Sequence, residues 1–149
     1  MFGALVGAMI MYMYTPAGGG KGEMVPSPHV VDVRDIKQFD DLLAAHRVVL
    51  VDFYADWCGP CRMLKPVIHE LATEYAGRAA VVSVNVDVAK DVAERIGIRS
   101  IPDVRIYEGG KALEQFVGVR PKRSYSDVLD RAIGTPAGAQ AVTIQGDGK

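Results

Sequence analysis

Residues Val48-Val49-Leu50-Val51-Asp52-Phe53-Tyr54 form an apolar run broken by a single aspartate. A near-continuous run of this length is the pattern of a strand buried on both faces. Other elements surround it. Val30-Val31-Asp32-Val33 reads as a short strand. Asp35 with Gln38 three residues on has the spacing of a capping box. The helix this opens runs to about His46, with Phe39, Leu42 and Leu43 on one face. From about Pro60 to Tyr75 a long helix is predicted, with Leu64, Ile68, Leu71 and Tyr75 at helical spacing and Pro66 expected to kink it. Val81 to Asp87 is a further strand, and Lys90 to Ile96 a short helix ended by Gly97. Val104 to Tyr107 and Leu113 to Val119 flank Gly109-Gly110, a hairpin signal. Pro121 opens a last helix to about Ile133. The order β-α-β-α-β-α-β-β-α predicts an α/β domain: a mixed central sheet with helices on both faces, closed by an antiparallel hairpin.

This patterning covers residues 30–133 only. Residues 1–29 begin with an apolar stretch, Phe2 to Tyr14, and carry no charged side chain before Lys21. The stretch is short for a membrane span. It resembles the apolar core of a secretory signal, with Thr15-Pro16-Ala17 as a cleavage context, but lacks a basic start. It is expected to be a signal or membrane anchor, or a leader without structure. Gly18-Gly19-Gly20 and the prolines at 26 and 28 then form a linker. Residues 134–149 read as a flexible tail. The location follows from the leader: cytoplasmic without it, exported or tethered through residues 2–14 with it.

Composition adds exclusions. The chain has 149 residues, 49% apolar and 23% charged, with net charge −1. That carries no nucleic-acid footprint. Its two cysteines, Cys58 and Cys61, are too few for a disulfide scaffold.

Those cysteines carry the chemistry. Trp57-Cys58-Gly59-Pro60-Cys61 lies directly between a predicted strand and a predicted helix, which is the setting of a redox device. A helix N-terminus carries positive partial charge and unpaired N–H groups, and both favour a thiolate over a thiol. Cys58 would stand at the helix mouth, exposed and activated. Cys61, one turn in, would be more buried. Gly59 permits the tight turn, and Pro60 fits an early helical position where its missing N–H costs nothing. Trp57 would shield the pair with a flat apolar surface. Arg62 and Lys65 either favour the thiolate further or are ordinary solvated helix charges. A structural zinc site wants four ligands, and His69 on the same helix is badly placed to help two cysteines. Covalent haem wants a histidine directly after the second cysteine, and Arg62 is there. No metal is expected.

Asp52 is the second candidate. A carboxyl in an apolar strand is costly to ionise, so its pKa should rise, which suits proton transfer near neutral pH. The plain alternative is a strand-end aspartate reaching solvent. Ile101-Pro102 is the third, because proline before a strand is either an ordinary entry residue or a cis bond.

Together these residues resemble the thioredoxin family. The likeness rests on Val51-Asp52-Phe53-Tyr54-Ala55-Asp56-Trp57-Cys58-Gly59-Pro60-Cys61-Arg62-Met63 and Pro66. It continues through Asn85-Val86-Asp87, Ile101-Pro102, Tyr107-Glu108-Gly109-Gly110 and Val117-Gly118. It covers about residues 30–133 and implies a thioredoxin fold, a central mixed five-stranded sheet flanked by four helices. The resemblance implies that Cys58 attacks a substrate disulfide and Cys61 resolves the intermediate. It implies that Asp52 relays a proton through water to activate Cys61, and that Pro102 is cis beside the pair. The backbone of Ile101 would pair with a bound strand, and Trp57, Gly59, Pro60, Val117 and Gly118 would line the docking surface. No cofactor is implied beyond the redox-active pair.

Two positions depart from the family pattern. Ser83 stands where members commonly carry a lysine near the buried aspartate, so Asp52 is expected to be harder to ionise. Asp103 follows the proline where threonine is usual. Its charge would oppose a thiolate at Cys58, unless its side chain turns to solvent or caps a backbone N–H.

The function implied is reduction of protein disulfides by a monomer, with a thioredoxin reductase or a membrane electron donor as partner. A tethered or periplasmic member of a thiol maturation pathway is the alternative within that chemistry. A non-catalytic module that holds partners on the flat surface around Trp57 and Pro102 is the alternative outside it.

Overall fold

The computed structural model describes residues 29–134, so the leader and nearly all of the tail lie outside the described residues. The elements follow the expected order: β1 Val30–Val33, α1 Ile36–Ala45, β2 Val48–Tyr54, α2 Gly59–Glu74, β3 Ala80–Asn85, α3 Lys90–Ile96, β4 Asp103–Glu108, β5 Lys111–Val117 and α4 Lys122–Gly134. The strands form one five-stranded sheet in the order β1-β3-β2-β4-β5. β3 runs parallel to both β1 and β2, while β4 is antiparallel to β2 and β5 to β4.

Alternation along the strands sorts the core into two layers, because successive side chains point to opposite faces. Val48 and Leu50 pack with Leu64, Ile68 and Leu71 of α2 and Tyr125 and Leu129 of α4. Val49, Val51 and Phe53 pack with Phe39 of α1 and Val92 of α3. The same alternation places Asp52 on the α2/α4 face, under the helix that carries the cysteines.

Local signals explain most boundaries. Asp35 caps α1 by accepting the Gln38 N–H at 2.8 Å. The reciprocal bond differs from a standard capping box: Gln38 Oε1 accepts from the N–H of Arg34, one residue earlier, at 2.9 Å. Its Nε2 donates to the Asp32 carbonyl, so the glutamine staples the end of β1 to α1. Gly97 ends α3 at φ 73°, and Gly109 and Gly110 turn the hairpin at φ 57° and 78°. β3 starts one residue earlier than expected, at Ala80, and ends two earlier, at Asn85: Val86 and Asp87 form a turn, in which Asn85 Oδ1 accepts the Asp87 N–H at 2.9 Å. β5 starts at Lys111 and stops at Val117, so Val119 lies outside it. α4 takes in Gly134, the first residue expected of the tail.

Candidate active site

β2 ends at Tyr54 and α2 begins at Gly59, and the loop between them sets the cysteines. Cys58 is the N-cap of α2. Its Sγ accepts the Cys61 N–H at 3.2 Å, so one of the helix's unpaired donors points at the sulfur. The two cysteines are joined as a disulfide with Cα atoms 5.3 Å apart. Pro60 sits in the first turn, as expected.

The burial of the pair corrects the sequence reading. Helix position predicts an exposed Cys58 and a buried Cys61, yet each is only 4% exposed. Ala55, Tyr54, Val86 and Ile101 pack around them. These come from three separate segments of the chain, and helix position alone does not anticipate them. Trp57 is 69% exposed beside this buried pair. Its Nε1–H donates to Asp87 at 2.9 Å, and Asn85 donates to Asp56 at 3.2 Å. The turn after β3 therefore holds the loop that carries the cysteines. In the sequence Asn85 and Asp87 are only landmarks, and nothing in their spacing signals this contact.

The Ile101–Pro102 bond is cis. Pro102 is buried, and its carbonyl accepts the Gly118 N–H at 2.8 Å. Gly118 makes this approach at φ 82°, a backbone state that favours glycine. Val117, just before it, is exposed. Trp57, Gly59 and Pro60 belong to the cysteine loop and first helical turn. Ile101, Pro102, Val117 and Gly118 belong to the β4 entry and β5 exit.

Asp52 lies beneath. It is 4% exposed, and its Oδ1 has no hydrogen-bond partner. Burial pushes its pKa from 3.8 up to about 7, with the Lys65 charge pulling the other way. Ser83 is its register partner on β3 and presents no charge there. A cavity of ≈ 160 Å³ lies over both, lined also by Cys61, Tyr54, Lys65 and His69.

Asp103 does not take the solvent-facing or backbone-capping placement that the sequence allowed. It is buried, and its carboxylate neither turns to solvent nor caps a backbone N–H. Arg105 donates to it from Nε at 3.2 Å and Nη2 at 3.1 Å, and Gln115 from Nε2 at 2.8 Å. A bidentate arginine balances its charge. The β4–β5 register sets Gln115 opposite Arg105, and the alternation of β4 puts both Asp103 and Arg105 on the face away from Val104 and Asp52.

A sequence model of the thioredoxin family matches residues 30–131. The chain belongs to the thioredoxin family. Among similar proteins, an M-type chloroplastic thioredoxin of Zea mays is 47% identical over 70% of this chain and 64% of its own length. A thioredoxin of Chlorobaculum thiosulfatiphilum is 47% identical over 63% of this chain and 87% of its own. Among solved structures, a mutant thioredoxin from Halobacterium salinarum superposes with TM-score 0.67 at 33% identity, covering 77% of this chain and 99% of that one. Thioredoxin membership makes the protein a thiol–disulfide oxidoreductase, a protein-disulfide reductase whose redox centre is the Cys58–Cys61 pair, with no further cofactor. It also implies disulfide-bonded proteins as substrates and a reductase as partner. Among the described residues, no helix is long and apolar enough to cross a membrane. The leader at residues 2–14, on which tethering depends, lies outside them.

Proposed function

We propose that this thioredoxin-family protein reduces protein disulfides as a monomer, with Cys58 attacking, Cys61 resolving and Asp52 accepting the resolving proton. The observation that carries this is the disulfide at the start of α2 with a buried carboxyl, its Oδ1 without a hydrogen-bond partner, lining the same cavity as Cys61. In the first step the Cys58 thiolate attacks one sulfur of the substrate disulfide. That bond breaks, one substrate sulfur leaves as a thiolate and is protonated, and a mixed disulfide to Cys58 forms. Asp52 then takes the Cys61 thiol proton through water. Cys61 attacks Cys58 Sγ, the Cys58–Cys61 bond forms, and the second substrate sulfur leaves and is protonated. Two electrons have passed to the substrate, and a thioredoxin reductase or a membrane donor restores the dithiol.

The docking roles rest on placement. Trp57 and Val117 are exposed, Gly59 and Pro60 adjoin the pair in the chain, Ile101 packs against it, and Pro102 is bonded to Gly118. A substrate strand laid along Ile101 finds a backbone edge and apolar shoulders on each side. The test is stoichiometric. Reduced protein mixed with oxidised insulin should lose its two thiols as the insulin gains two, and the Cys58→Ser, Cys61→Ser double variant should transfer none. Binding of insulin without thiol transfer by the wild type would favour a partner-holding module.

A further inference from the structure

The cavity above Asp52 holds more charge than the exchange reaction has so far used. Cys61 and Lys65 stand one helical turn apart on α2, and both line the hollow that reaches the Asp52 carboxyl. Lys65 and Tyr54 also line a second hollow, of ≈ 150 Å³, that reaches Cys61 from the side of Asp56 and Arg62. Lys65 therefore borders both of the hollows that Cys61 lines. Its Nζ lies 6.0 Å from the centroid of the Tyr54 ring, which also lines the cavity.

The other groups around Asp52 add little positive charge. β3 brings Ser83 and β4 brings Val104 as register partners. α4 brings Tyr125, whose hydroxyl accepts the Arg120 N–H at 3.2 Å. β1 brings Asp32, an anion at the rim. On α2, burial and the Lys65 charge hold His69 below its ordinary 6.5, so above neutrality it is uncharged. Among the described residues, that leaves Lys65 as the cation of the cavity, facing a carboxyl whose Oδ1 has no partner. The hollow is polar and large enough for water between them.

We propose that Lys65 is the positioning cation of the resolving step: across this cavity it favours the carboxylate form of Asp52, which then takes the Cys61 proton. The effect comes from a helix residue, one turn beyond the cysteine, in a chain whose neighbouring strand supplies only serine. The inference rests on the reading of Asp52 as proton acceptor. Lys65 is exposed, so replacing it leaves the fold intact.

The test titrates the Asp52 carboxyl by carbon NMR in the oxidised protein, where no activity is involved. Lys65→Met should raise its midpoint by about half a pH unit or more, and Lys65→Arg should restore it. In parallel, a Cys58–thionitrobenzoate mixed disulfide is prepared, and release of the coloured thiolate by Cys61 is followed against pH. Its profile should move upward with the carboxyl midpoint in Lys65→Met and return in Lys65→Arg. An unchanged carboxyl midpoint in Lys65→Met overturns the proposal, as does failure of arginine to restore it. A moved midpoint with an unmoved release profile instead contradicts Asp52 as the proton acceptor.

Discussion

Replacing Cys61 with serine should stop turnover and leave the substrate joined to Cys58. Cys61 sits on a Cα 5.3 Å from that of Cys58, so the resolving attack proposed for it would be unimolecular. Well-placed intramolecular reactions reach effective concentrations of about 10⁵ M. An external thiol at millimolar levels cannot match this, and turnover should fall more than about a thousandfold. The lost step follows the first exchange, so the variant should still attack. Intact mass should show substrate attached through a reducible bond, and peptide mapping should place it on Cys58. Cys58→Ser should accumulate no comparable adduct. Turnover by Cys61→Ser within tenfold of the wild type would deny the resolving role, and equal adducts in both variants would deny the order of attack.

The second large effect is on stability. Asp52 titrates at about 7 in the folded chain against an ordinary 3.8. Between those values the folded protein holds a proton that the unfolded chain has lost. Stability therefore falls as pH rises through this window and levels off above the folded value. Complete, the penalty is roughly 4 kcal/mol. Asp52→Ala removes it. In denaturant unfolding of the oxidised protein, the variant's stability relative to wild type should grow by roughly that amount from pH 4 to pH 8. A difference independent of pH would mean that Asp52 is ionised at little cost. If Asp52 is the proton acceptor proposed above, the same substitution should also slow the release of substrate from Cys58, and the stability it costs would accompany a role in the reaction.

Much of this was legible in the chain. The apolar run of β2 marks Asp52 as a carboxyl set into a buried strand. The cysteine spacing fixed the helix start, with Pro60 in its first turn. What escaped depends on contacts between distant segments. Cys58 is buried because Ile101 and Val86 close over it, forty-three and twenty-eight positions along the chain. Asp103 is balanced because the β4–β5 register brings Gln115 and Arg105 together, and neither residue looks special alone. Lys65 reads as either a charge favouring the thiolate or a solvated helix charge, and only packing of α2 on the sheet brings it to the cavity over Asp52. The cis state of Pro102 came from the family likeness, since the dipeptide by itself allows either isomer. In each case local pattern supplied the element and tertiary packing supplied the neighbour.

Cys58, not Cys61, is expected to be the activated nucleophile of the pair. This is tested most directly by limiting alkylation of the reduced wild-type protein with iodoacetamide across pH, with peptide mass mapping of the label. Label should fall on Cys58, with a rate midpoint below the roughly 8.5 of a free cysteine, because the N-terminus of α2 favours its thiolate. Label divided evenly between the two cysteines, or a Cys58 midpoint at or above that of a free thiol, would contradict it.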